Sequence, residues 1–172
     1  MSTLYILLKV GKADFHKIFK ILYFAEQKHL AEYGRPITGD NYIAMQFGPV
    51  PSTIYDILGV VKKNYGYFIK PEKFNNYFSI ETIEKIHFVE PKMKPTMEYL
   101  SKSEVSCLDY SINENKELTF DQLTLKSHDY AWKSTSGDQE MSLLDIAFAG
   151  GANDEMLKYI ALLSENENFE LA

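Results

Sequence analysis

Four histidines, one cysteine and a scatter of carboxylates are the residues that chemistry would draw on first in this chain. Catalysis and metal binding both need polar groups that converge. No two of His16, His29, His87 and His128 stand four apart on one helix, and there is no HExxH, so a helical zinc site has no support. A lone histidine reads as a satisfied structural or surface residue. Cys107 sits beside Leu108 in a predicted helix and reads as a small buried hydrophobe, because a thiolate nucleophile needs a base at hand. Asp40, Asp56 and Glu81 are isolated carboxylates, and GxSxG, P-loop and GxGxxG patterns are all missing. No catalytic, cofactor-binding or metal-binding residue stands out, and an enzyme reading would have to be assembled from nothing.

Charge narrows the partners. The net charge is −6, and residues 138–172 hold eight acids (Asp138, Glu140, Asp145, Asp154, Glu155, Glu165, Glu167 and Glu170) against one base, Lys158. An acidic chain is repelled by phosphate backbones. Lys17, Lys20 and Lys28 on one predicted helix, with Lys62, Lys63 and Lys70 near aromatic runs, read as a solvated face. Arg35 is the only arginine, and arginine makes the commonest specific base contact, so nucleic acid is disfavoured as a partner. The acidic segment is either a solvated helix and tail or a surface facing a basic partner.

The elements that must carry these residues are mostly helical. Phe15, Ile18, Phe19, Leu22, Ala25 and Leu30 recur at helical spacing over 14–33, with Ile21, Tyr23 and Phe24 widening the stripe until the helix is buried on most sides. Asp14 suits the N-cap and Gly34 the C-terminal stop, with Pro36 beyond. Leu4, Leu7 and Leu8 fit a short helix, with a strand as the alternative. Residues 41–47 alternate, Ile43, Met45 and Phe47 against Tyr42, Ala44 and Gln46, as in a half-buried strand. Gly48 to Pro51 breaks it, and Pro51 suits the first position of a helix carrying Ile54, Ile57, Leu58 and Val61. Runs at 67–69, 77–80 and 86–89 read as strands that join 41–47 in a small sheet. Ser101 with Glu104, and Thr119 with Gln122, fit capping boxes with hydrophobic staples, opening helices over 102–114 and 120–127. Two more follow near 142–149 and 154–164, and residues 166–172 are expected to fray. The expected fold is α+β, mainly α: a helical bundle with a small antiparallel β-sheet or hairpin, in one domain spanning 1–172. One cysteine, no apolar run near the ~20 residues needed to span a bilayer, and no cleavable leader pattern after Leu4 to Leu8 point to a cytoplasmic protein with no membrane partner.

Four runs in order carry a resemblance: Lys20-Ile21-Leu22-Tyr23-Phe24-Ala25; Tyr33-Gly34-Arg35-Pro36-Ile37; Ala44-Met45-Gln46-Phe47-Gly48-Pro49-Val50-Pro51; and Ile54-Tyr55-Asp56-Ile57-Leu58. A later stretch adds Leu118-Thr119-Phe120-Asp121-Gln122-Leu123, then Leu125, His128 and Trp132. Over about 14–135 the chain resembles the Panacea domain of SocA-like antitoxins, formerly described as phage-associated proteins. Phe47 departs from the hydroxylated aromatic common there, and the acidic helical segment 138–172 falls outside the resemblance.

The resemblance implies an antitoxin of a bacterial or phage toxin–antitoxin system, neutralising a cognate toxin by direct protein–protein binding: a binding module that is not an enzyme and needs no cofactor. A proteolysis adaptor for the toxin and a DNA-binding autorepressor are the alternatives. The matching residues Tyr23, Phe24, Gly34, Pro36, Phe47, Gly48, Pro49, Val50, Tyr55, Leu123, His128 and Trp132 are expected to be structural: Tyr23, Phe24 and Trp132 in the core, Gly34 and Gly48 for backbone geometry, His128 on a buried carbonyl. Partner diversity in that family puts toxin contacts on exposed, variable positions, and the acids from Asp138 to Glu167 form the candidate partner-facing surface. Homo-oligomerisation is left open.

Overall fold

Helix α2, Phe15–Tyr33, is the axis of the molecule. In the computed structural model, which describes residues 1–66 and 69–170, the last six as backbone only, three apolar clusters all draw on it. Tyr23 and Leu30 pack with Ile146, Ala147 and Ile160. Ile18 and Phe19 pack with Leu4, Leu7, Leu58 and Val89. Ile21, Leu22 and Ala25 pack with Tyr5, Ile6, Leu108 and Ile112. A helix buried on three sides needs apolar residues all round, as its widened stripe predicted. Asp14 caps it, its carboxylate accepting from Lys17 N at 2.9 Å. Gly34 ends it at φ 67°, and a Cβ there would press on the Tyr159 ring and Met156 Sδ.

Around this axis the order is α1 (Ser2–Val10), β1 (Ala13–Asp14), α2, β2 (Tyr42–Met45), β3 (Gly48–Pro51), α3 (Ser52–Lys63), β4 (Phe78–Ile83), β5 (Ile86–Pro91), α4 (Lys102–Asn115), α5 (Phe120–Ser127), α6 (Tyr130–Ser134), α7 (Leu143–Ala149) and α8 (Asp154–Glu170). Single 3-10 turns occupy Pro71–Lys73 and Met97–Tyr99. The fold is α+β and mainly α, and α1 takes the helical alternative. Both capping boxes form, with Ser101 and Thr119 accepting from the N3 backbone and Glu104 and Gln122 bonding back. Arg35 links α2 to the start of α4 through Glu104 Oε1 at 2.7 Å.

The strands depart from expectation. Two separate antiparallel sheets form, β1-β5-β4 and β2-β3, so 41–47 does not join the sheet of 78–91. Gly48 to Pro51 is no breaker but the partner strand, with Met45 opposite Gly48 and Ala44 opposite Pro49. A tight reversal at Gln46 and Phe47, completed by Gly48 at φ 94°, brings the local partner within reach before any distant strand. Tyr42 and Ala44 form the buried face and Phe47 is half exposed in the turn; the alternation held, but the larger-looking face points outward. Residues 138–141 run along the free edge of β2: Ala44 N donates to Gln139 O at 2.9 Å and Met141 N to Tyr42 O at 2.8 Å. Helix α3 starts at Ser52, one residue after Pro51, because Asp40 caps it from outside, accepting from Thr53 N and Ile54 N at 2.9 Å each. Of the strand expected at 67–69, Ile69 lies in a bend and the rest is outside the described residues. Helix α8 extends to Glu170, six residues past the expected end at 164, and the last two residues lie outside the described part. The two-residue β1 and the five-residue α6 went unanticipated, being too short to show a period.

Candidate functional site

Gly48, Pro49, His128 and Trp132, motif residues from both halves of the chain, meet at the β2–β3 hairpin, whereas Gly34 lies at the C-terminal end of α2 against Tyr159 and Met156. Lys20, on α2, is 1% exposed. Its ammonium donates to Pro49 O at 2.9 Å. Gly48 is pressed between it and α5: a Cβ there would overlap Ser127 Oγ and lie 2.9 Å from Lys20 Cε. Lys20 was read as one of a solvated row, and this is a correction. Lys17 and Lys28 do reach solvent-side partners, Lys116 O and Glu32, but Lys20 lies on the face of α2 that the hairpin covers.

Two histidine–aromatic pairs flank the tip. His16 packs on Phe120 with ring centroids 4.0 Å apart, and its Nε2 lies 3.0 Å from Thr124 Oγ1. His128 stacks on Trp132 at 3.7 Å and 10°. The Trp132 indole N–H donates to Met45 O at 2.9 Å, which fastens α6 to the hairpin. Below, the Tyr23 hydroxyl donates to Asp129 at 3.0 Å, and Gln27 Nε2 donates to the same carboxylate at 2.7 Å. Asp129 in turn accepts from Trp132 N to cap α6. Tyr23 is fully buried, whereas Phe24 and Trp132 are partly buried against the same cluster. Leu123 is fully buried, and Phe47 and Tyr55 are half exposed.

Burial dominates the electrostatics. It pushes Lys20 down to about 7. His16 falls to about 4, from burial first and the Lys20 charge second. His128 is lowered by burial too, against the raising effect of the Gln46 backbone. At neutral pH both imidazoles are therefore uncharged beside a lysine that ionises with difficulty. His16 Nδ1 and His128 Nε2 are buried without partners. Lys20 is closed off from solvent and bonded to the hairpin backbone, so the arrangement clamps the hairpin. Cys107 is buried, and burial lifts its thiol to about 11, as suits an inert side chain. His29 is satisfied by Arg35 O at 2.7 Å and Ser103 Oγ at 3.0 Å. Among the described residues no three His, Cys, Asp or Glu side chains are grouped to hold a metal, and no helix is long and apolar enough to cross a membrane.

Missed from the sequence were Lys20, Gln27, Asp129 and Ser127 as a connected polar interior. The signal was present in α2 itself: a helix buried on most sides must bury some of its polar residues, and Lys20 and Gln27 stand seven apart on one face.

A second feature lies at the other end of α6. Helices α6, α7 and α8 enclose an open groove of about 390 Å³ walled by Tyr130, Leu144, Phe148, Leu157 and Ala161, with Asp145 and Lys158 on its rim. Tyr130 and Phe148 meet edge to face at 4.8 Å; Phe148 is 50% exposed, and Leu162, on α8 next to the wall residue Ala161 but not itself a wall of the groove, is 60% exposed. The expected acidic residues are divided. Asp145 reaches the groove; Asp154 and Glu155 are exposed in the first turn of α8; Asp138 and Glu140 are exposed beside β2, where Glu140 accepts from Asn41. Glu165 and Glu167 lie outside the described side chains.

A family model described as antitoxin SocA-like, Panacea domain, matches residues 18–133, well over half of the chain. No curated protein and no solved structure matches it.

Proposed function

This chain belongs to the Panacea-domain family of SocA-like antitoxins, and from that membership we propose that it neutralises a cognate toxin by direct, non-covalent binding in the cytoplasm, without catalysis or cofactor. The observation that carries this reading is the exposed apolar groove of α6–α8. Its walls α7 and α8 lie beyond residue 133, where the family match ends, so this face is open to differ between members that share the hairpin clamp. Large aromatic and leucine side chains left in solvent beside acids suit an interface: apolar anchors supply affinity, while rim charge supplies association rate and selectivity. The motif residues hold the scaffold rigid, so little ordering cost is added on docking.

The mechanism is occlusion, with the domain covering the toxin's working surface over an interface of roughly 1,600 Å² in total. The test is co-expression with the toxic product of the adjacent reading frame. The wild-type chain restores growth and co-purifies with it; Phe148→Glu combined with Leu162→Glu loses both while keeping its melting temperature. An adjacent product that is harmless, or one that is neutralised equally by the double variant, refutes the reading. Toxin lifetime, measured alongside, separates occlusion from delivery to a protease. The net charge of −6 weighs against autorepression on DNA.

A further inference from the structure

A separate opening lies at the start of α1. A cleft of about 530 Å³, within the ~300–1,000 Å³ range of small-ligand sites, is walled by apolar side chains that include Ile54, Ile57, Phe74 and Tyr99. One end differs in chemistry. Helix α1 opens there without a side-chain cap. Its first intrahelical bond to the cap residue runs from Tyr5 N to Met1 O at 3.0 Å, which leaves the N–H groups of Ser2, Thr3 and Leu4 without acceptors in the helix. Ser2 and Thr3 line the cleft, and each is only 6% exposed. Neither hydroxyl has a hydrogen-bond partner among the described residues. Two hydroxyls without partners, on residues more than nine-tenths buried that line the cleft, stand beside three orphan amides at a positive helix end, and an acceptor carrying negative charge would engage both sets. Of the two carboxylates behind it, Asp40 accepts from Thr53 N and Ile54 N, and Glu26, on α2, accepts from Ile37 N through Oε2 while its Oε1 is buried without a partner.

We propose that this cleft binds an apolar molecule bearing a single carboxylate, its head on the Ser2–Leu4 amides and hydroxyls and its body against Ile54, Ile57 and Phe74. The same chemistry is presented by a free aliphatic acid and by the C-terminal carboxylate of a protein tail ending in leucine or valine. The site is separate from the α6–α8 groove and stands whether or not that groove binds a toxin.

Calorimetric titration of the whole chain tests it with four probes: octanoate, octan-1-ol, a short peptide ending in Val-Leu with a free carboxylate, and its C-terminal amide. Octanoate binds saturably and octanol about tenfold more weakly, the difference that a set of charge-assisted hydrogen bonds supplies. Binding of the free-acid peptide over its amide assigns the site to a protein tail, and binding of octanoate alone assigns it to a free acid. Ser2→Ala with Thr3→Val weakens octanoate but not octanol, Ile57→Trp blocks both, and Leu125→Trp, on the exposed face of α5, changes neither. No saturable binding by either carboxylate, or equal affinity for acid and alcohol, overturns the proposal. So does full octanoate affinity in the Ser2/Thr3 variant, which leaves the core untouched should Ile57→Trp fail to fold.

Discussion

Gly48 and Lys20 show at single residues why this motif tolerates little change. Gly48 combines φ 94° with side chains packed against the position a Cβ would take. Gly48→Ala is expected to cost about 2–4 kcal/mol, since left-handed strain and overpacking add, read as a lower midpoint in urea denaturation. Lys20 and Glu26 add opposite slopes to the pH dependence of stability, and His16, lowered from 6.5 to about 4, adds a further rise between those values. Lys20 has a folded pKa of about 7, below its ordinary 10.5, so between those values the unfolded chain binds more protons and stability rises with pH. Glu26 is raised by burial from 4.5 to about 7, so between those values the folded chain binds more protons and stability falls as pH rises. Lys20→Met should remove the rise above pH 7, a contribution on the order of a few kcal/mol; Glu26→Gln should remove the fall below it. Denaturant melts of the three proteins from pH 5 to 10 check both signs, and parallel curves would contradict them. Position 48 was legible as a backbone glycine; for Lys20 the stripe of α2 signalled that some polar residue must be buried but not which of its lysines, since that depends on where the hairpin lies.

At the scale of elements, local signals were read well and long-range ones poorly. The Asp14 cap and the boxes at Ser101 and Thr119 are written within four residues of the helices they open. Ser101→Ala and Thr119→Ala should each cost about 1 kcal/mol. Ser101→Ala should cost more, because Ser101 Oγ also accepts from Arg35 Nη2 at 3.2 Å; thermal melts of the pair give the ranking. The Asp40 cap of α3 acts across thirteen residues of sequence, and nothing near it announces a helix. Strands 41–47, 77–80 and 86–89 were found, yet their partnership was misassigned, since alternation fixes a face and leaves the partner open. The pairing followed from Gly48 turning the chain back and from 138–141 sealing the far edge of β2.

The whole molecule divides into a clamp and a face. The clamp joins α2, the hairpin and α5–α6, which fall within the matched family range except for the first three residues of α2 and the last of α6, and its motif residues were legible as an ordered set. The groove of α6–α8 was not: composition gave the acids of 138–172 but not the apolar surface they accompany, because Phe148 and Leu162 look like core until the packing of α7 on α8 is seen. If charge guides the encounter, replacing Asp138, Glu140, Asp145, Asp154 and Glu155 by their amides should slow association with a basic toxin at low salt and change the dissociation rate little. An unchanged association rate would remove charge from the account while leaving the groove.

The most direct measurement is the affinity of the purified chain for the adjacent toxic protein, compared with that of the Phe148→Glu, Leu162→Glu variant. The account predicts a stoichiometric complex for the wild type and a loss of at least about a hundredfold for the variant, with its melting temperature preserved. Equal affinities would show that the toxin is held elsewhere, and no complex at all would contradict neutralisation by direct binding.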